Sequence, residues 1–132
     1  MKKVIKVLMY VYRDRNGRKE FFVLHRKKGD VVVLTGHVEE ETLEQAAERE
    51  LEEELGVKAE KIVNLNTKVQ VEIKENNELS TEYAFLVEIP NKEVHFLEGD
   101  EKHAWYSIEE LSKILTYPNQ REPITKIKEV LR

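Results

Sequence analysis

Residues 42–56, TLEQAAERELEEELG, carry the signals of one element and fit no other. Thr42 with Gln45 three positions later has the capping-box form, which starts a helix at about Leu43. Gly56 is the natural residue to stop it. At about 100° per residue, Leu43, Ala46, Ala47, Leu51 and Leu55 fall on one stripe, so the helix must lay that face on another layer. Just upstream, VVVLT (31–35) is a short continuous apolar run, the mark of a strand covered on both faces.

The flanking sequence supplies the sheet. Residues 3–12 and 20–26 are apolar, β-branched runs around DRNGRK, where Asn16-Gly17 is a two-residue hairpin signal. Val69, Val71 and Ile73 alternate with polar residues, ENNE turns the chain, and Tyr83, Phe85, Val87 and Ile89 alternate again up to Pro90. KEVHFL and HAWYS are expected as short strands around the loop EGDEK. SIEELSKIL is expected as a helix capped by Ser107, TYPNQ as its break, and Ile124, Ile127 and Leu131 as the apolar stripe of a last helix. Strands, then a helix, then strands and helices without a linker or repeat predict one α+β domain over residues 1–132.

Composition narrows the chemistry. The absence of cysteine excludes disulfides, thiolate metal sites and a cysteine nucleophile, and fits a reducing compartment such as the cytoplasm. MKKVIKVLMYVYRDRNG alternates and reads as a strand, not a signal peptide, and no run approaches the roughly 18 apolar residues of a membrane helix. The net charge of −4 gives no footprint for duplex nucleic acid. Charged residues make up 36%, a Lys/Glu excess of the kind ion-pair networks use at high temperature, so glutamate alone carries little information here.

Position carries more. Glu44, Gln45, Glu48 and Glu52 project to the solvated side of the helix, whereas Glu50 and Glu54 point near Leu43 and Glu53 near Ala46. Three carboxylates thus share the side that faces the protein. Glu50 and Glu54 are a like-charge i,i+4 pair, and Glu53 and Glu54 sit in the last turn, where the helix dipole favours cations. A counter-charge is expected, and hard oxygen ligands on a rigid face suit Mg²⁺ or Mn²⁺. Helical geometry alone leaves open a solvated acidic face, or pairing with distant lysines and arginines.

RELEEELGV (Arg49–Val57) matches R-E-U-x-E-E-x-G-U, the second half of the Nudix box, at every specified position. The full box, G-x5-E-x7-R-E-U-x-E-E-x-G-U, finds Gly36 and Glu41 with the x7 spacing kept, but only four residues lie between them. The chain therefore resembles the Nudix hydrolases (the MutT-like family). The resemblance implies a mixed sheet sandwiched between helices and cleavage of a nucleoside diphosphate linked to another group, by attack of water on phosphorus. It implies Glu50, Glu53 and Glu54 as ligands of Mg²⁺ or Mn²⁺, with the Gly36 carbonyl and Glu41 supporting the metal. Arg49 would hold the carboxylates in register, and Glu50 is the first choice of base. The order and character of STEYAFLVEIP, EGDEKHAWYSIEEL and ILTYPNQREPI are similar to the dihydroneopterin triphosphate pyrophosphatase and diadenosine tetraphosphate hydrolase groups, without the Trp usual before TGxVE.

Many Nudix enzymes add a glutamate from a late loop; in FLEGDEKHAW, Glu98 and Glu101 compete for that role. HRKKGD offers Arg26, Lys27 and Lys28 to phosphates, and His37 could meet a phosphate or base, although each also reads as an ordinary surface residue. Tyr10, Tyr12, Tyr83 and Trp105 read as packing. The expected partner is a small nucleotide-like molecule; a homodimer stays open. Against the hydrolase stand two alternatives: a Nudix-fold binding or regulatory module without catalysis, and an acidic helix that docks a basic partner.

Overall fold

The computed structural model describes residues 1–99 and 101–132. In chain order the elements are β1 (Lys2–Arg15), β2 (Arg18–His25), β3 (Val31–Val32), β4 (Leu34–His37), α1 (Leu43–Leu55), β5 (Lys61–Ile73), β6 (Glu78–Glu88), β7 (Lys102–Tyr106), α2 (Ile108–Ile114), α3 (Pro118–Arg121) and α4 (Ile124–Val130).

Strand β1 organises the sheet. Along one edge it pairs parallel with β6, from Lys2 opposite Glu78 to Tyr12 opposite Glu88. Its other edge is shared: Lys6–Met9 pair with β4, and Tyr12–Arg15 pair with β2. The β1–β2 turn is the expected one, with Asn16 and Gly17 both at positive φ (56° and 82°), the backbone a right-twisted two-residue hairpin requires. β7 and β3 flank β2, and β5 closes the other side against β6.

Alternation along β1 sorts the core into two layers. Val7, Met9 and Val11 face α1, packing with Ala46, Ala47, Leu51 and Leu55. Leu8, Tyr10 and Tyr12 face α2 and α4, packing with Leu111, Leu115, Ile124 and Ile127. The mixed sheet is thus covered by helices on both faces. Helix α1 begins and ends where its sequence dictates: Thr42 and Gln45 form both bonds of the capping box, and Gly56 takes the left-handed conformation at φ 66°.

Three local expectations are corrected. VVVLT is two strands, because Val33 leaves the ladder and donates its N–H to Gln120 Oε1 (3.0 Å), so β3 follows β2 while β4 crosses to β1. KEVHFL forms no strand; Val94 is buried and Leu97 donates its N–H to the Glu54 carbonyl (2.7 Å), so the segment docks on the end of α1 and joins no sheet edge. PNQ within TYPNQ belongs to α3, since a proline in the first turn of a helix lacks only a donor that would have been unpaired.

Candidate active site

The acidic face of α1 lies against the end of β4. Glu50 packs directly over Gly36: a Cβ at that position would lie 2.2 Å from Glu50 Cγ, so only glycine lets the side chain lie there. Arg49 gathers the neighbouring carboxylates. Its guanidinium donates to Glu41 (2.9 and 3.1 Å), Glu50 (2.9 Å), Glu53 (3.2 Å) and the His37 carbonyl (2.9 Å). The loop between Gly36 and Glu41, one residue shorter than the box pattern, therefore still brings Glu41 onto Arg49. Glu41 is engaged there as a partner of the arginine.

Glu54 is the exception. It is 8% exposed, and among the described residues its Oε2 has no hydrogen-bond partner. Arg49 reaches Glu41, Glu50 and Glu53 and makes no ion pair with Glu54. Burial, then the charges of Glu50, Glu98 and Glu53, push the Glu54 carboxyl up to about 8. Glu50 is raised as well, by burial first and also by Glu53 and Glu98, against the opposing pull of Arg49. An orphaned buried carboxylate beside a second one of raised pKa is a site short of positive charge. Hard oxygen donors of this kind fit Mg²⁺ or Mn²⁺. Among the described residues no three such side chains yet converge to hold an ion. Glu50 and Glu53 are instead bonded to Arg49.

The sign of the Glu54 shift fixes a pH dependence. Its pKa is raised on folding from 4.5 to about 8, so its contribution to stability is fully present below the lower value and is lost as pH rises through the higher one. The metal-free protein is therefore expected to melt at lower temperature at pH 8.5 than at pH 5.5, and Glu54→Gln to flatten that slope. Melts of both proteins in EDTA check this; identical slopes would remove Glu54 as the cause.

The remaining candidates are distributed unevenly. Glu53, expected to face the protein, is half exposed, because the layer that covers Ala46 does not extend over it. Glu98 is exposed but close enough to raise both Glu50 and Glu54. Glu101 is not among the charges acting on either; a Cβ at Gly99 would meet its Oε2 at 2.5 Å. The expected loop also includes Asp100, which lies outside the described residues. Arg26 is tied to the buried Asp30 by two bonds of 3.1 Å from Nε, and Lys28 lies 3.9 Å from the same carboxylate. Both line a cavity on the sheet face opposite α1. His37 is exposed and contributes its carbonyl to Arg49. Tyr10 and Tyr12 are core, as expected, and Trp105 is partly buried beneath the Arg13 guanidinium (3.7 Å to the ring centre).

Sequence reasoning missed the other residues of that cavity, notably Glu82, Tyr117 and Asn119. One signal was available: Glu82 places a charge on the inward face of β6, between Ser80 and the apolar Ala84 and Leu86.

A mixed sheet whose central strand is shared by three others, with a carboxylate-bearing helix docked over a glycine at one strand end, is the arrangement the Nudix box implies. The family model of the NUDIX domain matches residues 2–127, and the chain belongs to the NUDIX family. Solved structures agree on the fold. A Listeria monocytogenes protein described as a NUDIX hydrolase superposes with TM-score 0.83 at 21% identity, covering 96% of this chain and 93% of its own. A Caenorhabditis elegans Ap4A hydrolase gives 0.81 at 23% identity, covering 97% of each chain. The Escherichia coli dihydroneopterin triphosphate pyrophosphohydrolase gives 0.75 at 20% identity, covering 96% and 97%. No curated protein matches the sequence.

Proposed function

We propose that this NUDIX hydrolase is a Mg²⁺- or Mn²⁺-dependent pyrophosphohydrolase of a nucleoside diphosphate linked to another group: a nucleotide or pterin triphosphate, or a dinucleoside polyphosphate. The observation that carries the reading is the Glu54 carboxylate, buried without a partner beside Glu50 and Glu53. Glu50, Glu53 and Glu54 would hold the ion, with the Gly36 carbonyl at the strand end beneath Glu50. When bound, a divalent ion neutralises the diphosphate, polarises the P–O bond and acidifies water. Arg49 positions the carboxylates by its bonds to Glu41, Glu50 and Glu53. Glu50, raised by burial, is suited to take the proton of the attacking water. Arg26 and Lys28 offer positive charge to phosphates from the cavity side. A cytoplasmic small-molecule substrate is part of this reading, on the cysteine-free composition; among the described residues no helix is long and apolar enough to cross a membrane. The one-residue-shorter loop is the feature that favours an inactive binding module, yet Glu41 reaches Arg49 across it. A panel of nucleotides and nucleotide conjugates, incubated with Mg²⁺, Mn²⁺ or EDTA and scored for products, tests the proposal; no metal-dependent cleavage of any member would overturn it.

The late loop supplies a second, separable test. Glu98 acts electrostatically on Glu50 and Glu54 while remaining exposed, the position of a group that swings in with substrate. Glu98→Gln is expected to lose most of kcat with little change in KM, and Glu101→Gln to stay close to wild type. Kinetics of both variants at saturating Mg²⁺ decide it. Two wild-type values of kcat would leave the chemistry to the box carboxylates alone.

A further inference from the structure

On the sheet face opposite α1 lies a half-open cavity of about 580 Å³, within the range of small-molecule sites. Its walls include Val71 and Ile73 of β5 and the Tyr117 ring, whose hydroxyl is fixed by donation to Asp30 (2.6 Å). Glu82 of β6 is also part of its lining and is only 5% exposed. Its carboxylate accepts one bond on each oxygen, from Asn119 Nδ2 to Oε1 (2.7 Å) and from Ser80 Oγ to Oε2 (3.0 Å). Lys6, its partner in the β1–β6 register, reaches Glu78 instead (3.6 Å), and among the described residues no cation pairs with Glu82.

A buried carboxylate with two neutral partners is incompletely compensated. These bonds use one acceptor site on each oxygen, and a carboxylate is able to accept a pair of donors side by side. The chemical group complementary to that pair of oxygens is a planar edge with two adjacent N–H donors. The 2-amino-4-oxo pyrimidine edge, common to guanine and to pterins, has it: a ring N–H next to an exocyclic amino group. Adenine and cytosine present one donor beside one acceptor, and uracil one donor between two acceptors, so each would set an acceptor against the carboxylate.

The cavity also adjoins the acidic helix. Thr35 lines it, while Gly36, the next residue on β4, faces Glu50, because successive residues of a strand point to opposite faces. A ring seated at Glu82 would send its phosphates across β4 toward α1, past Arg26 and Lys28 on the cavity wall.

We infer that Glu82 selects substrate by its ring, and that the cavity takes a 2-amino-4-oxo heterocycle of the guanine or pterin type. The inference rests on the hydrolase reading for what happens to the phosphates, but ring recognition does not require turnover. Binding is therefore measured by calorimetry in EDTA, with GDP, IDP and ADP as probes. Wild-type protein should bind GDP at least about tenfold more tightly than ADP, the scale of one hydrogen bond to a charged group. IDP, which keeps the ring N–H and lacks the amino group, should fall between them.

Glu82→Gln preserves the shape, can still accept from Asn119 and can donate to Ser80. It replaces one acceptor by a donor, so the GDP/ADP preference should fall by about 30-fold and move toward adenine. The wild-type series carries the test by itself if the variant does not fold. Equal affinity for GDP and ADP, or a preference unchanged in folded Glu82→Gln, would overturn the assignment; so would failure of all three diphosphates and of dihydroneopterin triphosphate to bind. Discrimination in binding without metal-dependent turnover of any member of the nucleotide panel would sink the hydrolase reading and leave the ring assignment standing. Comparing kcat/KM for GTP and dihydroneopterin triphosphate then separates guanine from pterin as the source of the shared edge.

Discussion

Glu53→Gln is expected to reduce metal-dependent turnover by at least about a hundredfold, the scale on which loss of a metal-site group acts. The substitution keeps the side chain's shape and removes its charge. Its cost to the fold should be small, because Glu53 is half exposed and its one ion pair, to Arg49 at 3.2 Å, is of the i,i+4 kind worth no more than about 0.5 kcal/mol. The sequence alone predicts equal or higher stability from the loss of a like charge. The Arg49 pair tempers that, and a metal-free melt within a degree or two of wild type is now the expected result. Glu52→Gln, one residue away on the solvated side of α1, is the control and should retain activity. Steady-state kinetics of the three proteins with Mn²⁺ check it, and full activity in Glu53→Gln would remove Glu53 from the site.

Millimolar Mn²⁺ should raise the melting temperature of the wild type by roughly 10 °C over EDTA at matched ionic strength. An ion that binds only the folded state at a hundred times its Kd contributes about 2.7 kcal/mol, and a domain of this size converts each kcal/mol to a few degrees. Glu54 makes the effect specific. Its unpartnered carboxyl, raised to about 8, takes up a proton on folding at neutral pH, which lowers the stability of the metal-free fold. Glu54→Gln should therefore raise the EDTA melting temperature and lose most of the response to Mn²⁺. Equal Mn²⁺ responses in wild type and Glu54→Gln would separate the stabilising ion from this cluster.

These expectations divide along the line between what neighbours in sequence decide and what distant segments decide. Thr42, Gln45 and Gly56 set the limits of α1 through bonds within a few residues, and Asn16-Gly17 sets the hairpin in the same way, so both were legible. The box carboxylates were legible for a related reason: one rigid helix fixes their mutual spacing. Helical angles could not report how far the covering layer extends, which is why Glu53 was expected inside and lies half exposed. Nor could they show that Arg49 would engage three carboxylates and leave Glu54 without a partner.

Alternation in KEVHFL suggested a strand, but a strand exists only where an edge accepts it, and the Glu54 carbonyl at the end of α1 took the Leu97 N–H instead. The cavity was the least legible part. Glu82, Tyr117 and Asn119 come from β6, from the residue capping α3 and from α3 itself, and only the register of β6 on β1 and the return of the chain through α3 bring them together.

The central claim is that the acidic face of α1 directs water at phosphorus, with a divalent ion supplying the charge Glu54 lacks. Hydrolysis of the best substrate of the panel in ¹⁸O-labelled water, with Mn²⁺ or with EDTA, tests it most directly by mass spectrometry of the products. The account predicts one ¹⁸O in one of the two phosphate-bearing products, and no cleavage in EDTA. Unlabelled phosphate products, or equal cleavage with and without metal, would contradict it.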